Sequence, residues 1–390
     1  MASIAKREDG RWRARYRDAH GTERSRHFAR RIDAQAWLDA VTTEVQTGTY
    51  VDRAKGKITV GEWSKRWLSG QAHLKPSTYE RYAGIVRAQI EPRWRDVSLA
   101  DVSHADVQAW ITTMAVGRSA ATTRKVHRVL SLILALAVKD GRLARNPAAE
   151  VNLPRVVTAE RRYLTHDQVL ALADAAAAPD TVSKHRRLEE REHDEYRLIV
   201  LFLAYTGVRF GELAALRVRR IDFLRRRAMI AESVTLVRSE QVWGTPKGHE
   251  RREVPIPRFL ITELAQHVEG KNADDLVFTG IRRGGVLRSQ IFRRAAFDRA
   301  AAAIGLPGLH PHELRHTSAS LAIASGANVK VVQQMLGHKS ATMTLDRYGH
   351  LFGDQLDEVA DAMDAAVAKS RKAPAEPPSS GHVIDLPGPS

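Results

Sequence analysis

The sequence predicts a multidomain chain, mainly α-helical with small β-sheets. It should hold a small sheet-plus-helix unit at the start, a helical unit after it and an α+β unit in the second half. Three observations carry this. The chain has 390 residues, 43% of them hydrophobic, which is enough for two or three domains with their own cores. Apolar residues recur at helical spacing over most of the length, as in VHRVLSLILALAV at 126–138. Strand-like runs are confined to residues 11–28, 228–237 and 251–256.

Charge and composition narrow the partners. Lys and Arg number 61 against 45 Asp and Glu, a formal charge of +16 and a pI near 10.3. A chain this basic is suited to a polyanion: DNA, RNA or an anionic membrane surface. With no cysteine there are no disulfides, thiolate zinc sites or cysteine nucleophiles. The longest apolar runs, 129–138 and 198–205, are too short to span a bilayer, and MASIAKREDGRW lacks an apolar signal core. A cytoplasmic protein is expected.

Taken in order, RWRARYRD, a turn at Ala19-His20-Gly21 and ERSRHFA read as a β-hairpin. Trp12, Ala14 and Tyr16 alternate with Arg11, Arg13, Arg15 and Arg17, giving one apolar and one basic face. Residues 1–31 hold ten Lys or Arg against four Asp or Glu. A helix over 31–47 follows, with Ile32, Ala36, Leu38, Val41 and Val45 inward, and 48–58 is a polar linker. Residues 59–150 are helical: 60–70, a start at Lys75-Pro76-Ser77-Thr78 leading into TYERYAGIVRAQI, then 99–114 and 122–139. Residues 151–162 read as an extended connection, and Thr165 with Gln168 makes a capping box. The charged run 179–195 has no assigned role. Residues 196–205 form a buried helix stopped at Gly207, which puts Arg209 at the start of the next one. Strands at 228–237 and 251–256 flank a turn-rich hairpin tip containing Lys247. An alanine-rich helix over 355–369 precedes a proline-rich tail with the composition of disorder.

The most informative stretch is HPHELRHTSASLAIASGANVKVVQQMLGHKSATMTLDRYGH at 310–350. His312 and Arg315 fall on one helix face, Gly337 ends a second short helix, and a third over 342–351 carries Tyr348. Arg supplies a planar cationic fork for phosphate oxygens, His can move protons near neutral pH, and Tyr can be a covalent nucleophile. The set suits phosphoryl transfer through a phosphotyrosine. A second arginine on the same phosphate would strengthen that reading, and one stands in TGVRFGEL as Arg209, with Glu212 one turn on.

With TGVRFGEL, HELRHTSAS, LGHKS and the Tyr348 segment in this order, the chain resembles the tyrosine recombinases, in particular phage-type integrases, over residues 60–355 and more loosely before them. The resemblance implies an arm-type DNA-binding domain at 1–50, a helical core-type DNA-binding domain at 59–150, a catalytic domain at 163–355, and a C-terminal helix and tail at 356–390. It implies catalytic roles for Arg209, Lys247, His312, Arg315, His338 and Tyr348, with Glu212 orienting the site from behind. Arg209 and Arg315 would hold the scissile phosphate, Lys247 would protonate the leaving oxygen, His312 would support proton transfer from Tyr348, and His338 would bond the phosphate. Arg11, Arg13, Arg15 and Arg17, and the helix-start residues Lys75, Ser77, Thr78, Arg81, Thr122, Thr123, Arg124 and Lys125, are candidate contacts to double-stranded DNA. No cofactor and no metal are called for. The implied partners are core-type and arm-type attachment sites, a homotetramer on DNA, and possible host bending and excision factors, with no membrane.

Three rival readings share these residues. HELRH at 312–316 is also an HExxH string, as in zinc peptidases, with Glu313 as general base. A type IB topoisomerase would use the same arginines and tyrosine, but the basic N-terminal hairpin favours an integrase. A catalytically silent DNA-binding regulator would keep the binding domains alone.

Overall fold

A computed structural model of the chain describes residues 2–17, 21–46, 55–157, 161–178, 190–246, 248, 251–280, 285–352, 360–361 and 363–368. Part of the first turn (18–20), the linker residues 48–54, the charged run as far as 189, Lys247 and the proline-rich tail lie outside the described residues. The chain divides into two compact units, residues 1–160 with 235–242 and residues 161–234 with 243–390. Among the described residues no helix is long and apolar enough to cross a membrane.

The first unit opens with an antiparallel sheet of β1 (Ser3–Lys6), β2 (Trp12–Arg17) and β3 (Glu23–Phe28), with β2 central. The sequence predicts only the β2–β3 hairpin; SIAK is too short and too weakly patterned to announce β1. Helix α1 (Arg31–Gln46) covers one face, where Ala14, Tyr16, Ala34, Leu38 and Val41 are buried and Trp37 packs 5.5 Å from Tyr16 and from Phe28. Ile32, expected inward, is 70% exposed, and Ala36 is exposed as well; Ala34 is buried and Trp37 partly buried instead. On the other sheet face the register sets Arg13 between Ala5 and His27, and Arg15 between Ser3 and Ser25. Both arginines are partly exposed on this face, and Arg13 Nε is buried in it.

A second core in this unit gathers Trp63, Trp67, Trp94, Leu130 and Ile133. Its helices are α2 (Val60–Ser69), α3 (Pro76–Ile85), α4 (Glu91–Trp94), α5 (His104–Gly117) and α6 (Ala120–Lys139). Thr59, Ser103 and Ser119 cap α2, α5 and α6 by accepting from the N–H groups of Glu62, Asp106 and Thr122. The Ser103 cap explains why α5 starts later than the predicted residue 99: Val102 is extended and Leu99–Asp101 form a separate 3-10 turn. A π turn at Val86–Ile90 joins α3 to α4 just before Pro92, which has no N–H for the regular ladder. Trp63 Nε1 donates to the Ile133 carbonyl at 3.0 Å, so its one polar atom is satisfied inside the core.

The second unit is built on two helices, α7 (His166–Ala177) and α8 (Glu190–Thr206). Thr165 and Gln168 form the predicted capping box at the start of α7. Leu198 to Ala204 of α8 are buried on every side, so this helix runs through the core rather than along the surface. After α9 (Phe210–Leu213), β4 (Ile221–Asp222), β5 (Arg227–Ile230) and β8 (Arg252–Pro255) form one sheet in the order β4-β5-β8. β6 (Ser233–Val237) and β7 (Glu240–Gly244) form a separate pair, most of which (235–242) is counted in the first unit. The predicted strand at 228–237 is therefore two strands of different sheets, broken at Ala231-Glu232. Helices α10 (Arg258–Val268), α11 (Ser289–Phe292) and α12 (Asp298–Ala303) precede α13 (Glu313–Ala324), α14 (Val329–Leu336) and α15 (Ala341–Tyr348). Residues 360–361 and 363–368 are helical, inside the predicted C-terminal helix.

Candidate active site

Two glycines shape the backbone around the site. Gly207 has φ +65°, and a Cβ there would stand 2.8 Å from Leu336 Cδ2 and 2.9 Å from Ser318 Oγ. Both the angle and the space demand glycine, and the turn brings Arg209 to the mouth of α9. Gly337, at φ +62°, ends α14 in the left-handed conformation and delivers His338. A Cβ on it would press against Arg252, 2.9 Å from Cδ.

The two candidate phosphate arginines have different surroundings. Arg315 is 3% exposed and donates through Nη1 to the Gly207 carbonyl and through Nη2 to the Leu336 carbonyl. Burial, then the charges of Arg209 and Arg252, lower its pKa to about 9, so it remains a cation at neutral pH. Arg209 is more open and pairs with Glu212: its backbone N–H and Nη1 each reach a carboxylate oxygen at 2.9 Å. The Glu212 side chain is fully buried, and Arg252 also grips it, through Nη1 at 3.1 Å and Nη2 at 2.6 Å. Burial alone would raise the Glu212 pKa; the Arg252 hydrogen bonds and charge, with those of Arg209, outweigh it and hold the group below the usual carboxylate range.

Tyr348 ends α15 and is 1% exposed. Its hydroxyl meets His316 Nδ1 at 2.8 Å, and its ring lies parallel to that of His338, 6.4 Å between centroids. Burial raises the phenol pKa, opposed by the Arg315 and Arg347 charges. His338 is buried with Nδ1 2.9 Å from Thr344 Oγ1. Burial, followed by neighbouring arginine charges, lowers the His338 pKa to about 4; burial, then His312 and nearby arginines, does the same to His316. Both imidazoles are therefore neutral at pH 7. A neutral His338 that takes the Thr344 hydroxyl proton on Nδ1 carries its own N–H on Nε2, free to donate outward. His312 is more exposed; desolvation, then Arg315, Arg209 and Arg347, lower its pKa too.

Residues at the start of this unit brace the same helices. Arg161 donates to the Arg347 carbonyl at 2.7 Å, the Leu164 N–H to Thr317 Oγ1, and Arg162 to both Glu313 oxygens at 3.2 Å. Glu313 also accepts the His310 N–H. It is thus committed as a structural acceptor and unsuited to a peptidase base. Among the described residues no group of three His, Cys, Asp or Glu side chains is arranged to hold a metal ion.

Arg209, Glu212, His312, Arg315, His338 and Tyr348 are thus brought together. Lys247 lies outside the described residues; Gly248 beside it comes near Lys339, one residue past His338, with a built Cβ 4.0 Å from Lys339 Cε. In the first unit, Arg11, Arg17, Lys75, Ser77, Arg81, Arg124 and Lys125 are exposed, and Arg13, Arg15, Thr78 and Thr122 partly so. Thr123 is buried with its hydroxyl on the Ser119 carbonyl, facing the core rather than a ligand. Sequence reasoning missed His316, which holds the Tyr348 hydroxyl in the place expected for His312. HELRH contains it, but helix spacing cannot tell which histidine meets the tyrosine. It also missed Arg252, although period-two alternation with Val254 and Ile256 marks that position as inward-facing.

A helical and small-sheet fold with two arginines, two histidines and a tyrosine in one cluster defines a class: the DNA strand-exchange enzymes that work through tyrosine. Comparisons agree. Residues 162–354 match the Phage integrase family, and residues 59–115 match the Phage integrase, N-terminal SAM-like domain. A putative prophage phiRv2 integrase of Mycobacterium tuberculosis is 28% identical over 356 residues, 87% of this chain and 89% of that protein. Tyrosine recombinase XerC of Corynebacterium efficiens is 31% identical over 265 residues, 67% of this chain and 77% of that one. The crystal structure of a lambda integrase tetramer bound to a Holliday junction shares the fold, with a TM-score of 0.57 and 21% identity over 87% of this chain and 96% of that one. The chain belongs to the phage integrase family of tyrosine recombinases and is a site-specific tyrosine recombinase.

Proposed function

We propose that the chain integrates and excises a phage or similar mobile element by acting on double-stranded DNA, with Tyr348 as nucleophile. Residues 1–50 serve as the arm-type domain, 59–150 as the core-type domain and 163–355 as the catalytic domain. Arg209 and Arg315 hold the non-bridging oxygens of one phosphate and stabilise the charge of the pentavalent transition state. The Tyr348 oxygen forms a bond to phosphorus, and the bond to the 5′ oxygen breaks, leaving a 3′-phosphotyrosine. The phenolic proton passes to the histidine pair, His316 in contact and His312 beyond it, their rings 5.5 Å apart. Lys247 protonates the departing 5′ oxygen, and His338 donates to a phosphate oxygen. Attack by a partner 5′ hydroxyl reverses the chemistry and exchanges strands without an external energy source. Arg11, Arg13, Arg15 and Arg17 contact the arm site, and Lys75, Ser77, Thr78, Arg81, Arg124 and Lys125 the core site. By analogy with the lambda tetramer, four copies work on two DNA sites in the host cytoplasm, with host bending and excision factors as further partners.

The observation that carries this reading is the convergence of the Tyr348 phenol with His316, His338 and the buried Arg315 in one cluster. A nicked suicide substrate carrying the attachment core, incubated in EDTA, tests it. A covalent protein–DNA adduct that disappears in Tyr348→Phe is expected. An adduct that survives the substitution would move the nucleophile elsewhere. DNA binding with no adduct from the native chain would favour the silent regulator.

A further inference from the structure

Arg252 has no part in the mechanism above, yet its side chain is 9% exposed and three of its N–H groups are spent on the site's framework. Two go to Glu212, as described. The third, on Nε, donates to the Met335 carbonyl at 3.0 Å, in the last turn of α14. The neighbouring Leu336 carbonyl takes its hydrogen bond from Arg315. The C-terminal carbonyls of α14, the negative end of that helix, are thus held by two guanidiniums. The side chain also lies under the Gly337 turn, where any Cβ would collide with it. One residue on β8 therefore ties together the helix start bearing Arg209 and the turn bearing His338.

The charges explain what such a tie does. Glu212 is a single buried anion shared by two cations, Arg209 and Arg252. With Arg252 present, the carboxylate is divided between them, and Arg209 keeps net positive charge and free N–H groups. With Arg252 absent, Glu212 becomes the undivided counter-ion of Arg209 and draws its guanidinium back from the position where a phosphate would sit.

We infer that Arg252 is a positioning residue for strand transfer, setting Arg209 through Glu212 and the His338 turn through Met335. The inference rests on the reading that Arg209 meets the scissile phosphate. Its test uses the full chain on the same suicide substrate, comparing native protein, Arg252→Met, Arg252→Lys, Glu212→Gln and the Arg252→Met/Glu212→Gln double variant.

Single-turnover adduct formation should fall about 30-fold or more in Arg252→Met while DNA affinity stays within about 3-fold, a loss confined to the chemical step. Lysine cannot form the two-pronged contact and should not rescue. The double variant should be no slower than the slower single variant, because both changes cut the same connection. A substrate with a neutral methylphosphonate at the scissile position should narrow the gap between native and Arg252→Met to about 3-fold, since the charge that Arg209 meets is gone. An equal loss on both substrates, or losses that multiply in the double variant, would make Arg252 a purely structural residue and overturn the inference. So would an undiminished rate in Arg252→Met. If the native chain forms no adduct, the parent assignment of the site fails, and this inference with it.

Discussion

The arginines of the first sheet and those around Tyr348 are the same side chain in opposite circumstances. Arg13 and Arg15 stand on an open face, their ion pairs with the exposed Glu23 long, at 4.0 and 3.6 Å. Such pairs contribute little and leave both guanidiniums available to an outside anion. Arg315 and Arg252 are sunk among backbone carbonyls and a buried carboxylate, where two N–H groups of Arg315 and three of Arg252 are committed before a ligand arrives. One set can attract a polyanion from solution; in the other, Arg315 keeps N–H groups with which to hold a single phosphate in one geometry, and Arg252 fixes the framework around it. Exposure, more than residue type, separates attraction from positioning.

The sharpest way to break this contrast is Arg315→Lys. An ammonium keeps the charge but cannot serve the Gly207 and Leu336 carbonyls and a phosphate together. Adduct formation should fall about 100-fold to 1000-fold, the scale of losing an aligned transition-state donor. Each buried carbonyl left without a donor costs about 1–3 kcal/mol, so the melting temperature should drop measurably as well. If the rate held while stability fell, Arg315 would belong to the framework alone.

Much of this was legible beforehand, for identifiable reasons. Caps and glycines are local, so the Thr165–Gln168 box and the Gly207 and Gly337 stops follow from a few neighbouring residues. Arg209, Arg315, His338 and Tyr348 sit in motifs, and motif order carried them. Partners across the chain were not legible. His316 lies 32 residues from Tyr348, and Arg252 lies 40 from Glu212 and 83 from Met335. No pattern along the sequence announces such pairs, and the β1 strand and the break at Ala231-Glu232 are decided by pairing rather than by local preference.

The histidines sharpen the comparison from another side, because burial acts on them as it does on the arginines. His338 and His316 fall from 6.5 to about 4 in the folded chain. In a folded state with lowered pKa, the unfolded chain binds more protons between those values. Stability is therefore fully kept above pH 6.5 and lost as pH falls toward 4. The melting temperature should decline over that window, and His338→Gln should flatten part of the decline, since one of the titrating groups is then gone. Thermal melts from pH 7.5 to 4.5 check it; parallel curves for both proteins would mean that His338 titrates normally.

The smallest expected effect lies on the open face, and it tests the other half of the contrast. Arg13→Gln with Arg15→Gln removes two charges whose ion pairs with the exposed Glu23 are long. Folding should be unchanged, because neither side chain is part of the core of Ala14, Tyr16, Leu38 and Val41. Cleavage of a suicide substrate with only a core site should also be unchanged. Affinity for arm-type DNA should weaken, and the slope of log affinity against log salt should become shallower by about 2, roughly one counterion released per lost phosphate contact. A titration over several salt concentrations measures that slope directly. If it stayed the same, these arginines would be solvated bystanders, and exposure on a basic strand would not by itself mark a DNA-binding face.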